Sequence, residues 1–433
     1  MSNRLALLVT ALLWLSATMG VAQVPKGSYG PVALVGATAY TVTQDTIENC
    51  TVVLRDGKIE AIGANVSVPG DARVIDCKGR RVYPGFIDGG TRLGLSEIGS
   101  DPRTHDYNEV GNIVPQMRAL TAVNPNSALI PVTRVNGVTT VLSAPTGGLF
   151  SGTAALINLY GYTPEQMYAG FEGVVLNFPS TSRGGSNDKR KSEEIAKAAT
   201  KAMKKLDDVW QKAVEYDKLD SALGESKPDY YPELIALQPV LRGTMPLIVE
   251  VDDAGDILRA LEWVREKEIR KVIFAGVREG WRVADKIAEA GIPVITGKVL
   301  TLPGRAYDRY DRSYANPAIM NKAGVTVALR TNEANNVRNL PYNAGVAAAY
   351  GLGKEEALRA ITIVPAQIFG VADKLGSLEA GKDATLFVCD GDPLEPATNI
   401  LHLFIKGWDV PLVSRQTLLY DEFLHREPGL QKP

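Results

Sequence analysis

The sequence predicts an α/β chain, a closed (β/α)8 barrel with a β-module beside it. Strand-like and helix-like periods alternate through the middle of the chain. Counted from the run Val82-Tyr83-Pro84-Gly85-Phe86-Ile87-Asp88, the strand-like runs number eight, as a closed parallel barrel requires. Ahead of them, residues 32–82 hold only short β-branched runs broken by turns, a sheet too small to bury a face alone.

The chain has 433 residues, enough for a barrel of ~250 and a second domain. Its 47 basic and 49 acidic side chains nearly cancel, which excludes nucleic acid or an anionic membrane surface as the main partner. The N-terminus reads Met1-Ser2-Asn3-Arg4, then apolar over residues 5–15, with Gly20 and Ala22 three and one residues before a cleavage point at Gln23. That pattern predicts a signal peptide over residues 1–22 and an exported mature protein, in a bacterial periplasm. The competing membrane anchor would need ~20 apolar residues, more than the run supplies. Cys50, Cys77 and Cys389 all fall in the β-module, where one disulfide and three buried thiols both remain open.

In the β-module, runs at 32–34, 50–54 and 58–62 flank the hairpin signal Asp56-Gly57. After the opening strand come strands at 138–142, 154–159, 173–178, 245–251, 271–274, 292–296 and 325–329. Helices are predicted over 256–267, 281–290 and 317–323. Residues 180–187 form a polar Gly/Ser loop. Beyond it, Ile195, Ala199, Ala202, Leu206, Val209, Ala213 and Tyr216 recur at helical spacing, which predicts one long helix lying on its own barrel rather than a coiled coil.

The opening run and its continuation Gly89-Gly90-Thr91-Arg92 resemble the first strand of the metal-dependent amidohydrolase superfamily, where such a run leads into His-x-His. Gly-Val-Thr-Thr-Val at 137–141 resembles the family's second strand. Residues 375–388, with Gly376-Ser377-Leu378-Glu379-Ala380-Gly381-Lys382-Asp383-Ala384, resemble its turn into a composite β-sandwich, with Thr385 where the family has Asp. Phrases at 340–345 and 357–366 place the chain nearest the exported, imidazolonepropionase-like members, and Ala144-Pro145-Thr146-Gly147-Gly148 resembles a substrate loop. The resemblance implies a TIM barrel over residues 83–363, with a helical insertion around 180–225, and a composite β-sandwich from residues 23–82 and 364–433. The family reaction it implies is hydrolysis of non-peptide C–N bonds in amide-like or cyclic substrates.

The same resemblance implies a metal on strands one, five, six and eight, and the residues at those positions do not coordinate. Gly90 and Arg92 replace the two histidines, and neither offers a lone pair. Glu250 stands for histidine on strand five, and Ala275, or Gly276, on strand six. On strand eight Arg330-Thr331-Asn332-Glu333 resembles Gly-Thr-Asp, and the Asn332 amide cannot take a proton from water. The three histidines, His105, His402 and His425, lie far apart in sequence with no metal-ligand spacing. The expectation is therefore no catalytic residue, no metal and no cofactor. What remains is a pocket at the vacated position lined by Asp88, Gly90, Arg92, Glu250, Asp252, Ala275, Arg330, Asn332 and Glu333, with Arg92, with or without Arg330, pairing with Glu250 or Asp88. A carboxylate site for Mg²⁺ or Ca²⁺ on Asp88, Glu250 and Asp252 is the competing arrangement.

Three functions compete on this reading. The first is a catalytically impaired family member that binds a small amide-like ligand or assembles as a homo-oligomer or with an active relative. The others are a hydrolase with a non-standard site and a periplasmic small-molecule binding protein.

Overall fold

The computed structural model describes residues 26–183, 188–223 and 228–426, so the expected signal peptide lies outside the described residues. One nine-stranded sheet takes strands from both ends of the chain. Its seam is the antiparallel pairing of Arg81–Pro84 with Leu386–Cys389, Val82 opposite Val388. Leu34, Val52, Leu54 and Ile59 from one end close on Leu386, Val388 and Phe404 from the other. Neither set could be buried without its partner.

The turn before the seam is built from the phrase at 376–384 and its polar side chains. Ser377 and Thr43 donate to Glu379 at 2.6 and 2.8 Å, and Lys382 donates to Ser377. These hydroxyls, followed by Lys382, hold the Glu379 carboxyl down to about 2. Gly376 has φ +90°, and a Cβ there would stand 2.8 Å from the Thr362 carbonyl oxygen, so only glycine fits. Thr385 Oγ1 accepts from the Lys406 N–H at 3.1 Å, a turn role. The three cysteines are buried free thiols, and burial pushes Cys77 up to about 11 and Cys389 up to about 12.

The barrel strands are β1 (Phe86–Thr91), β2 (Val138–Ser143), β3 (Phe150–Asn158), β4 (Tyr168–Asn177), β5 (Leu247–Val251), β6 (Val272–Gly276), β7 (Val294–Thr296) and β8 (Val327–Ala328). They pair in sequence order, and the Gly89 N–H donating to Leu329 O at 3.1 Å joins the two ends of the sheet. The barrel is not wholly parallel. β3 runs antiparallel to both β2 and β4. Residues 144–149 and 159–167, which connect them, are too short for crossovers, since a parallel connection takes a dozen residues or more.

Ile87, Leu142, Leu156, Val175, Ile248, Ile273, Ile295 and Ala328 fill the interior. Alternate residues, including Val249, Phe274 and Val294, face outward beneath the helices. Helix α1 (Ser192–Leu223) lies on this outer layer through Leu206, Trp210 and Ala213, with the Trp210 and Trp263 rings edge to face at 5.3 Å. Helix α2 (Ala254–Glu266) follows β5, and α3 (Ala284–Ala290) ends on Gly291 at φ +65°. Helix α4 (Arg312–Lys322) begins earlier than its sequence pattern indicates, with Pro317 inside it rather than at its start.

Candidate functional site

The carboxyl ends of the barrel strands meet at a mouth whose floor is Asp88. Its carboxylate is fully buried and accepts from the Thr331 hydroxyl at 2.6 Å, the Thr331 N–H at 3.1 Å and the Gly90 N–H at 3.0 Å. Burial pushes its pKa up to about 7 against those donors and the nearby Arg330. Strict alternation would turn Asp88 inward with Gly90 and Arg92. Instead Ile87 joins the interior cluster and Asp88 binds the chain after β8, because the β1–β2 register shifts at Phe86/Ile87 and again between Asp88 and Thr91.

Above this floor the Arg330 guanidinium, 4% exposed, meets Glu250 end on, with Nη1 to Oε1 at 2.5 Å and Nη2 to Oε2 at 2.7 Å. Such a bidentate fork fixes direction as well as charge. Burial works against the Arg330 charge, and Glu250 more than offsets it, so the guanidinium ends above its ordinary pKa. Gly90 makes the arrangement possible. A Cβ at residue 90 would stand 3.0 Å from Arg330 Cδ, so the side chain missing from β1 is the space that the β8 arginine crosses.

Arg92 does not pair with Glu250 or Asp88. Its N–H donates to Glu333 O at 2.9 Å, and its guanidinium lies over the Tyr107 ring, 5.2 Å from the centroid. The strand ends at Thr91, and the carboxylates of Glu250 and Asp88 are already engaged by Arg330 and Thr331. Glu333 pairs with Lys298, which follows β7. Asn332 holds a left-handed φ of 51° and donates through its N–H to Gly90 O at 3.0 Å, stitching β1 to the β8 extension. Ala275 is buried in the interior wall opposite Glu250. Asp252 is exposed at the rim, where the surrounding protein raises its carboxyl pKa and Arg278 and Arg330 oppose that rise. The structure therefore brings together Asp88, Gly90, Glu250 and Arg330, with Asn332 and Glu333 on the seam, and leaves Arg92 apart. The motif-based reading missed Lys298 and Thr331. Lys298 lies two residues past the strand pattern at 292–296, beyond the reach of that pattern and outside any motif.

A metal held in the family's manner does not fit these residues. Two positions carry no donor atom, Asn332 offers a neutral amide where a carboxylate is expected, and a guanidinium pairs with the carboxylate on β5. Among the described residues no three His, Cys, Asp or Glu side chains converge to hold an ion, so Asp88, Glu250 and Asp252 do not form a carboxylate cage. The histidines are apart as well: His105 touches Tyr107, His402 faces Asp409, and His425 contacts Asp421 O.

Comparison with known proteins bears on the fold and family. Residues 291–408 match the model of the amidohydrolase family. The chain is 25% identical over 386 residues to the amidohydrolase tasK of Hapsidospora irregularis, covering 80% of this chain but only 38% of that protein. It is 27% identical over 387 residues to imidazolonepropionase of Symbiobacterium thermophilum, covering 77% of this chain and 82% of the relative. The crystal structure of an amidohydrolase from Thermotoga maritima superposes with a TM-score of 0.77 at 26% identity, over 89% of this chain and all of that one. With the eight-stranded barrel, the two-ended sheet and the phrases that build both, these likenesses support an amidohydrolase-superfamily member.

Proposed function

We propose that this protein is an exported, periplasmic amidohydrolase-superfamily member without hydrolytic turnover, whose barrel mouth binds a small amide-like ligand. The observation that supports this reading is the Arg330–Glu250 fork lying across the space that Gly90 vacates. A charge-neutral, hydrogen-bonded pair recognises amide donors and acceptors but supplies neither an activated water nor a general base. A metal-independent hydrolase is the weaker alternative, because Asp88, the carboxyl poised near neutrality, is sealed from solvent.

A second reading is docking of the mouth on an active relative. It is supported by Leu302, Tyr307 and Tyr310, exposed on the segment after β7, Leu302 at 75%.

The test is elemental analysis of protein purified from the exported fraction, with an amidase screen before and after chelation. The expected result is far less than one transition metal per chain and no turnover that chelation abolishes. One tightly bound transition metal per chain, lost together with activity, overturns the reading. Comigration with a coexpressed active paralogue on native mass measurement would select the docking reading.

A further inference from the structure

A second buried arginine lies at the opposite end of the barrel from the mouth. Arg134 closes the short helix Leu129–Arg134 just before β2 and is 6% exposed. Its Nη1 donates to Leu159 O at 3.1 Å, and its guanidinium lies 5.8 Å from the Tyr160 ring centroid. Its Nε is buried with no partner, and among the described residues no carboxylate pairs with it. Residues 1–25 contain no acidic side chain.

Arg134 lines a cavity of about 450 Å³ with Lys26 and Asn126 among its polar groups and Ile130, Met167 and Tyr160 among its apolar ones. That volume falls within the range of small-molecule sites, and the lining here joins apolar side chains to polar ones in comparable measure. Burial lowers the Arg134 pKa only to about 10, so the group stays charged at neutral pH. A buried cation without a counter-ion is costly. That cost is relieved by an anion entering the cavity.

We propose that this cavity binds a small organic monoanion, a carboxylate on a compact apolar body. The carboxylate pairs with the Arg134 guanidinium where it lines the cavity, the body lies against Ile130, Met167 and Tyr160, and Lys26 stands at the rim. Arginine is suited to this because its planar fork matches a carboxylate. The site is independent of the mouth and of any reaction there.

The test is titration calorimetry of the full chain with benzoate, benzyl alcohol and inorganic phosphate. Benzoate should bind saturably at one site, with benzyl alcohol and phosphate each at least about tenfold weaker. Arg134→Met should weaken benzoate by at least about tenfold, the loss of one charge-assisted contact. Should Arg134→Met not fold, a crystal grown with 4-bromobenzoate locates the site, the bromine expected beside Ile130 and Met167. Equal binding of benzoate and benzyl alcohol, no saturable binding, a bromine elsewhere, or undiminished binding by Arg134→Met overturns the proposal. Phosphate binding tighter than benzoate overturns the assigned ligand class.

Discussion

Two arginines of similar burial stand at opposite ends of one barrel, each with a buried and unpartnered Nε, and they differ in what the rest of the guanidinium meets. Arg330 at the mouth has a carboxylate set square against it, whereas Arg134 beneath the barrel has a carbonyl, a tyrosine face and a cavity. The same side chain closes a site at one end and leaves one open at the other. Burial alone therefore does not tell what an arginine is for. Its partners do.

The sharpest break of that comparison is at the mouth. Arg330→Ala strands the Glu250 carboxylate in a recess shaped for a guanidinium, and it should cost roughly 3–5 kcal/mol in urea unfolding. Glu250→Ala should cost a similar amount, because it leaves the deeper charge alone. The double substitution should cost clearly less than the sum, since neither ion then remains to be stranded. Simple additivity would mean the two charges are each solvated separately and the fork carries no stability.

Asp88 sharpens the comparison from below, because it is a buried acid whose charge the nearby Arg330 favours. Its folded pKa, about 7, lies above the ordinary carboxylate value of ~3.9. Between those values the folded chain holds more protons than the unfolded one, so this group's contribution is fully present at low pH and is lost as pH rises toward 7. Asp88→Asn removes the titration. The stability difference between wild type and variant should therefore shift by on the order of 3 kcal/mol between pH 4 and pH 7.5, in the direction that favours wild type at the acid end. A difference that does not move with pH would place the Asp88 titration elsewhere.

A smaller effect is expected from refilling the space over which Arg330 lies. Gly90→Leu puts a Cβ 3.0 Å from Arg330 Cδ and further atoms into its path, and should cost about 1–3 kcal/mol by overpacking. In Arg330→Ala, where that path is empty, the same leucine should cost less than it does in wild type. An equal cost in both backgrounds would show that glycine is needed at residue 90 for the backbone and not for the guanidinium.

Much of this fold was legible because the signals were local. The seam phrase at 376–384 and the opening run at 82–88 each fix a turn through several residue types at once, and the helix of Ser192–Leu223 showed its buried face by period alone. The direction of β3 was not carried by its period, since a strand reads the same in either direction. The connection lengths held that information, because residues 144–149 cannot span a crossover. At the mouth, residue identity put Arg330 and Glu250 at positions where the resemblance implies metal ligands, and the structure pairs those two side chains. It could not rank Arg92 against Arg330. Their choice of partner follows from a register shift at Asp88 and from Lys298 having occupied Glu333, and both are tertiary facts. Arg134 had no motif around it at all. It lies in an ordinary amphipathic turn, and only the packing of Leu159 and Tyr160 against it reveals a cation without an anion.

The smallest expected effect tests the other half of the comparison. Arg134→Met removes one hydrogen bond to Leu159 O and the stacking on Tyr160, which together stabilise by about 1–2 kcal/mol. It also removes an unpaired buried cation, whose desolvation costs several kcal/mol in the folded chain. Methionine keeps most of the apolar stem against Ile130 and Met167 and adapts to the space left over. The opposing changes should leave stability within about 1 kcal/mol of wild type, or above it, where Arg330→Met at the mouth should still lose several. Thermal unfolding of the two variants side by side, in buffer free of small carboxylates, measures the contrast directly. A loss at Arg134 as large as the loss at Arg330 would mean that Arg134 already has an anionic partner in the folded chain, and the two ends of the barrel would then be alike.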